Sequence, residues 1–183
     1  QGGAVVHIFD SLEKLNIPVV YTHHESSASF ASAANSKSTR ELGCAVVTTG
    51  PGATNAITGL LGAWQDSIPC LYLSGQVRSS HMSYGKPVRQ VGSQEANIIE
   101  IVKSITKYSK MITCAEEVPN ILEEAIHLAN TGRKGPVWID IPLDIQSKIL
   151  RVLTDQKFKR LNGNNDINVD VRLICSSSKD LNE

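Results

Sequence analysis

The chain has 183 residues, with 18 Lys and Arg against 18 Asp and Glu, so its formal net charge is zero. That length suffices for one domain with a substantial core plus a tail, and the charge balance excludes a surface built to neutralise nucleic-acid phosphates. No apolar run approaches the ~20 residues of a membrane-spanning helix, and Gln1-Gly2-Gly3 carries no signal-peptide pattern, as suits a cytoplasmic protein.

Four cysteines, Cys44, Cys70, Cys114 and Cys175, form no Cys-x-x-Cys pair, and the first three flank or lie in apolar runs. Metal or disulfide use stays open on residue type alone, but this setting favours reduced core thiols. His7, His23, His24, His81 and His127 have no metal-site spacing beyond the adjacent pair, and adjacent residues on a strand face opposite sides. No metal ligands are expected in this chain.

After Gly2-Gly3, the spacing of Val5, Val6, Ile8, Phe9, Leu12 and Leu15 predicts one apolar helix face ending near Asn16. In a doubly wound unit such a glycine turn follows a strand, so the pattern reads as lacking its first strand at the N-terminus. Val19 to Thr22 is the first predicted strand. The segment Ser26 to Ala34, almost all Ser and Ala, predicts a helix that lets neighbouring backbones approach closely, with Ser36 to Glu41 as its exposed end. Gly43 to Val47 is a strand running into Thr48-Thr49-Gly50-Pro51-Gly52-Ala53-Thr54-Asn55, and a helix follows from Ala53 to about Trp64. Cys70 to Ser74 is a further strand, closed by Gly75-Gln76.

The stretch Val77 to Gly92 predicts a long irregular loop, and loops of that length are often functional. A helix is expected from about Gln94 to Ile105, a short strand from Tyr108 to Thr113, and a helix beginning at Glu116, Glu117 and Pro119 and ending at Asn130-Thr131-Gly132. Val137 to Ile141 is a buried strand stopped by Pro142. Five strands thus alternate with helices, which predicts an α/β fold: a doubly wound, mostly parallel sheet with helices on both faces. Residues 1–148 read as this domain, N-terminally incomplete. Residues 149–183 read as a linker or the start of a middle domain, with a weak alternating element around Val169 to Ile174.

Two features carry chemistry. Gly50-Pro51-Gly52 resembles the start of a dinucleotide fingerprint, but Asn55 stands where the third glycine belongs, and no Gly-Lys-Ser/Thr ending makes a P-loop. On residue types alone a tight strand-to-helix turn, with Pro and Gly chosen for backbone shape, is the favoured reading over a phosphate cradle. Glu25 lies at the mouth of the Ser/Ala helix, where a carboxylate favours the helix dipole. Glu25 and the Gly50 turn also lie at the C-terminal ends of two strands of one sheet, so they can converge on one crevice, where a carboxylate can exchange a proton with a ligand nitrogen.

The ordered motifs resemble a family. His24-Glu25 before the Ser/Ala helix, T-T-G-P-G-A-T-N at 48–55, D-S-I-P at 66–69, S-G-Q at 74–76, Q-E at 94–95, I-T-K at 105–107 and T-G-R-K-G-P-V-W-I-D-I-P-L-D at 131–144 look like the pyrimidine-binding domain of thiamin-diphosphate enzymes, acetolactate synthase-like group. The resemblance runs from Gly2 to about Gln146. It implies that Glu25 hydrogen-bonds the pyrimidine nitrogen N1′ and favours the imino tautomer, whose nitrogen removes the thiazolium C2 proton. The cofactor then serves as electron sink for a 2-oxo acid. It further implies cofactor contacts at Gly2, Gly3, Pro51, Gly52 and Asn55, and substrate-side positions at Gln76 and Gln94.

Departures are Ser93 where many acetolactate synthases have Phe, Ala34-Asn35 for the usual Gly-Tyr, and the 77–92 segment. Nothing matches the Gly-Asp-Gly start and Asn of the domain that holds the diphosphate and Mg²⁺. The resemblance therefore implies a partner diphosphate domain on another subunit or chain, in a homo-oligomer (dimer or tetramer). It indicates no flavin, although FAD is open. Other readings are a separate pyrimidine-domain subunit of a 2-oxo acid decarboxylase, a non-catalytic degenerate module, and a Rossmann-like nucleotide domain, disfavoured by Asn55.

Overall fold

A computed structural model describes residues 2–146 together with the backbone of three strands, Lys157–Lys159, Asp166–Asn168 and Arg172–Ser176. Apart from these three strands, the segment 149–183 read as a linker or the start of a middle domain lies outside the described residues. The main unit has strands β1 (Val19–Thr22), β2 (Gly43–Val47), β3 (Cys70–Gln76), β4 (Tyr108–Met111) and β5 (Val137–Pro142). Helices are α1 (Val6–Lys14), α2 (Glu25–Thr39), α3 (Pro51–Asn55), α4 (Ile57–Gln65), α5 (Ile98–Val102), α6 (Val118–Asn130) and α7 (Leu143–Gln146). Strands β6 (Lys157–Lys159) and β7 (Asp166–Asn168) form an antiparallel pair, and β8 (Arg172–Ser176) follows.

The sheet order is β1-β8-β2-β3-β5-β4, and every pairing in it is parallel. This is the doubly wound α/β architecture that the alternation of elements predicts. Gly3–Val5 form a 3-10 turn running straight into α1. The slot between β1 and β2 is taken by β8, paired Val19 to Leu173 and Gly43 to Arg172.

The strands β2, β3 and β5 are buried along their whole length. Their alternate residues feed two cores, as the period of two in a strand requires. Cys44, Val46, Leu71, Leu73, Val137, Ile139 and Ile141 pack with Ile8 and Leu12 of α1 and Ile121, Leu122 and Ala125 of α6. Ala45, Val47, Tyr72 and Trp138 pack on the other face with Ala33 of α2, Ala53 of α3, Leu60 and Ala63 of α4 and Val102 of α5. Cys44, Cys70 and Cys114 form no disulfide among the described residues, and the first two are buried.

Local differences from the sequence pattern have physical causes. The helix expected from Ala53 to Trp64 is two helices that meet at Ala56, whose carbonyl receives the Ser29 hydroxyl at 2.9 Å. The helix expected from Gln94 starts only at Ile98. Gln94 has a left-handed φ of 58°, and the Asn97 side chain caps the helix by accepting from the Glu100 N–H. α2 runs on to Thr39, and Ser36 is buried within it rather than exposed, its hydroxyl donating to the Pro69 carbonyl at 2.8 Å.

Trp138 is fully buried and stacks on Tyr72, with ring centroids 5.1 Å apart. Trp138→Ala is expected to cost about 3–5 kcal/mol, read as a drop in the denaturant midpoint.

Candidate functional site

β1 ends at Thr22, and the chain turns through His23-His24 into α2, which begins at Glu25. His24 caps the helix: its Nδ1 accepts from the Ser26 N–H at 3.1 Å, so this histidine is structurally employed. α2 is fastened to the next unit by hydroxyls. Ser26 Oγ donates to the Asn55 carbonyl at 2.7 Å, and Ser29 Oγ bonds both the Ala56 carbonyl and the Tyr72 hydroxyl at 2.9 Å. The serines therefore set where Glu25 sits relative to the Gly50 turn.

Glu25 is half-buried, and its Oε2 accepts from Asn55 Nδ2 at 3.1 Å. Its Oε1 lies 3.4 Å from where a Cβ on Gly52 would stand. Glu25, Gly52 and Asn55, separated by up to 30 residues, thus meet in one place. Pro51 is exposed at the first turn of α3. Gly2 joins the group through Thr48, which sequence reasoning passed over: a Cβ on Gly2 would fall 2.5 Å from Thr48 Oγ1, and one on Gly52 would fall 2.5 Å from Thr48 Cγ2. A Cβ on Gly3 would meet nothing within 4 Å.

The other wall is polar and buried. Gln76, 1% exposed, ends β3. Its Oε1 accepts from Thr49 Oγ1 at 3.0 Å and from the Val77 N–H at 2.9 Å, and its Nε2 donates to the Ala96 carbonyl and to Asp140 Oδ2, both at 2.9 Å. Asp140 Oδ1 accepts from Ser74 Oγ at 2.6 Å, and Ser74 in turn accepts from the Trp138 indole at 2.8 Å. Gln94 is exposed, and its carbonyl lies 3.4 Å from Thr49 Oγ1. Gly50 has a φ of 58°, and a Cβ there would collide with that carbonyl at 2.1 Å.

The irregular loop after β3 is organised by Glu95. Burial opposes the charge on its carboxyl, but hydrogen bonds from Ser83, Val91 and Gly92 outweigh it and hold the group below the usual carboxylate range. The sequence showed Glu95 only as half of a Q-E pair; its role depends on a loop path no local pattern reveals. Among the described residues no group of His, Cys, Asp and Glu could hold a metal, and no helix is long and apolar enough to cross a membrane.

Residues 1–117 match the family model described as thiamine pyrophosphate enzyme, N-terminal TPP binding domain. The chain belongs to that family. It is 42% identical over 148 residues to the acetolactate synthase large subunit of Buchnera aphidicola subsp. Schizaphis graminum, covering 80% of this chain and 25% of that protein. Acetolactate synthase isozyme 3 large subunit of Escherichia coli is 41% identical over 145 residues, 79% of this chain and 24% of the relative. The chloroplastic acetolactate synthase of Arabidopsis thaliana is 38% identical over 152 residues, 81% and 21% of the two chains. The chain thus spans about a quarter of the length of these relatives. A second model, described as Sigma-54 interaction domain, matches residues 137–183, well under half of the chain, and shares β5 with the first domain's sheet.

In this thiamine pyrophosphate enzyme domain the buried carboxylate has a thermodynamic signature. Desolvation pushes the Asp140 carboxyl up to about 7, against the pull of its hydrogen bonds from Ser74 and Gln76. Tyr84, the phenol that feels its charge, is itself raised to about 12 by burial and by Asp140, Glu100 and Glu95, so it stays neutral below that pH. Between the ordinary value near 3.8 and about 7 the folded protein holds a proton that the unfolded chain has released. Stability from this group is therefore lost as pH rises towards 7. Chemical denaturation from pH 4 to 8 is expected to show that decline, and Asp140→Asn to remove it.

Gly52→Ala is expected to cost about 1–3 kcal/mol through the Thr48 methyl. The double variant Gly52→Ala/Thr48→Ser, which lacks that methyl, recovers much of the loss in a thermal melt.

Proposed function

We propose that this chain forms the pyrimidine-binding half of a thiamin-diphosphate-dependent enzyme acting on a 2-oxo acid, by decarboxylation or carboligation of the acetolactate synthase type. The observation that carries the reading is the placement of Glu25. One carboxylate oxygen is held by Asn55, and the other has no hydrogen-bond partner among the described residues and stands over the bare Cα of Gly52. That arrangement fits a ring nitrogen brought against Gly52: Oε1 is free to accept its hydrogen, and a side chain at Gly52 would fill the space.

Thiamin diphosphate, when bound, supplies an electron sink for decarboxylation. The chain's own residues bind and orient. Asn55 fixes the rotamer of Glu25, and Glu25 holds a proton at pyrimidine N1′. Gly2, Gly3, Pro51 and Gly52 form the backbone approach, with Thr48 behind them. Gln94 faces the substrate side with its exposed side chain, and Gln76 serves that side through the loop it anchors. In this reading the diphosphate and Mg²⁺ belong to a separate diphosphate-binding domain, on another subunit or chain of a homo-oligomer, and no residue points to a flavin. In this reading residues 1–148 carry the pyrimidine unit and 149–183 lead towards a middle domain, with β8 adding a strand to the first unit's sheet on the way. Cys44, Cys70 and Cys114, without a disulfide among the described residues, suit the cytoplasm.

Glu25→Gln, assembled with a diphosphate-domain chain, is expected to lower turnover about 100-fold or more with little change in the thermal midpoint. The 183-residue chain alone is expected to leave pyruvate untouched. Undiminished turnover in Glu25→Gln would instead mark a non-catalytic binding module.

A further inference from the structure

The buried polar group at the end of β3 and β5 has a direction. Gln76 sits between two donors on one side, Thr49 Oγ1 and the Val77 N–H, and two acceptors on the other, the Ala96 carbonyl and Asp140 Oδ2. Reversing its amide would set oxygen against the Asp140 carboxylate and the Ala96 carbonyl, and N–H against the Val77 N–H. Each mismatch in a site that is 1% exposed is costly. Asp140 is the only ionisable member of this set, and its second oxygen is satisfied by Ser74.

Thr49 extends the chain outwards. Its hydroxyl donates to Gln76 and also lies 3.4 Å from the Gln94 carbonyl, against which Gly50 packs. We propose that Asp140 is a positioning residue: its carboxylate fixes the amide polarity of Gln76 and, through Thr49, the path of the Gly50 turn and the 92–97 backbone that wall the site. This rests on the pyrimidine-site reading for its functional consequence, and on hydrogen bonding alone for the positioning itself.

The test is a swap of donor and acceptor. Gln76→Glu sets a second buried carboxyl against Asp140, where the two can be joined only by keeping a proton that the wild-type amide does not need, and it removes the donor to the Ala96 carbonyl. Gln76→Glu/Asp140→Asn restores the match at position 140, because the Asn amide can donate to the new carboxylate while Thr49 and the Val77 N–H still find an acceptor; the Ala96 carbonyl lacks its donor in both variants. Amide exchange at Val77 and over 92–97 is measured in the 183-residue chain. Thiamin diphosphate affinity with Mg²⁺ is measured in the assembled enzyme. Gln76→Glu is expected to speed exchange and weaken binding roughly tenfold, and the double variant to recover about half of each effect on a logarithmic scale, the remainder reflecting the Ala96 carbonyl without its donor.

A double variant no better than Gln76→Glu, or a single variant without effect on exchange, overturns the positioning role. Exchange that follows the pattern while affinity does not would leave the positioning intact and remove its link to the pyrimidine site. Where Gln76→Glu does not fold, Thr49→Val reads the same relay by deleting one hydroxyl: faster exchange over 92–97 supports it, and unchanged exchange refutes it.

Discussion

A parallel sheet covered by helices on both faces has only its strand ends available for polar chemistry. β2, β3 and β5 are buried throughout, and their side chains divide between two apolar cores. Polar groups that must meet a ligand are therefore pushed to the loops beyond the strands. Glu25, the Gly50 turn and Gln76 all stand at the C-terminal ends of their strands for this reason. The same constraint makes the exceptions informative. Asp140 and Ser74 lie inside strands and survive burial because each finds a partner there.

Precision at the site comes from short bonds between elements rather than from the loops themselves. α2 carries little apolar surface, so it cannot be held mainly by hydrophobic contact. Its serines instead bond to carbonyls at Asn55, Ala56 and Pro69; those of Ala56 and Pro69 already accept the Leu60 and Gly43 N–H groups, and their second lone pair takes the hydroxyl. Replacing those serines by alanine would keep the close approach and lose the register. On the far side the Asp140–Gln76–Thr49 relay plays the same part for the Gly50 turn. The Glu25 carboxylate is thus aimed by one set of hydrogen bonds, and the wall opposite by another.

Much of this was legible in the chain. Alternation of apolar runs with 3.6-period segments showed the α/β class, because burial on both faces leaves a continuous apolar signature in each strand. Glu25 and the Gly50 turn were readable because strand ends carry motif residues at characteristic positions. Thr48 was not, because its importance is steric and arises from two glycines 50 residues apart in sequence. The start of α5 was misplaced because Gln94 adopts a left-handed conformation imposed by packing against Gly50, not by its own preference.

The sequence by itself determined the class of fold, the family and the residues with chemistry to offer, since these follow from hydrophobic period and from the order of short motifs. Tertiary structure alone decided which of them meet. Pairing of Asn55 with Glu25, and of Gln76 with Asp140 across 64 residues, depends on strand order, and strand order is a long-range property no local pattern encodes. The occupation of the place between β1 and β2 by β8 belongs to the same category. Backbone hydrogen bonds there can be satisfied by any extended segment that reaches them, so only the folded arrangement shows which one does.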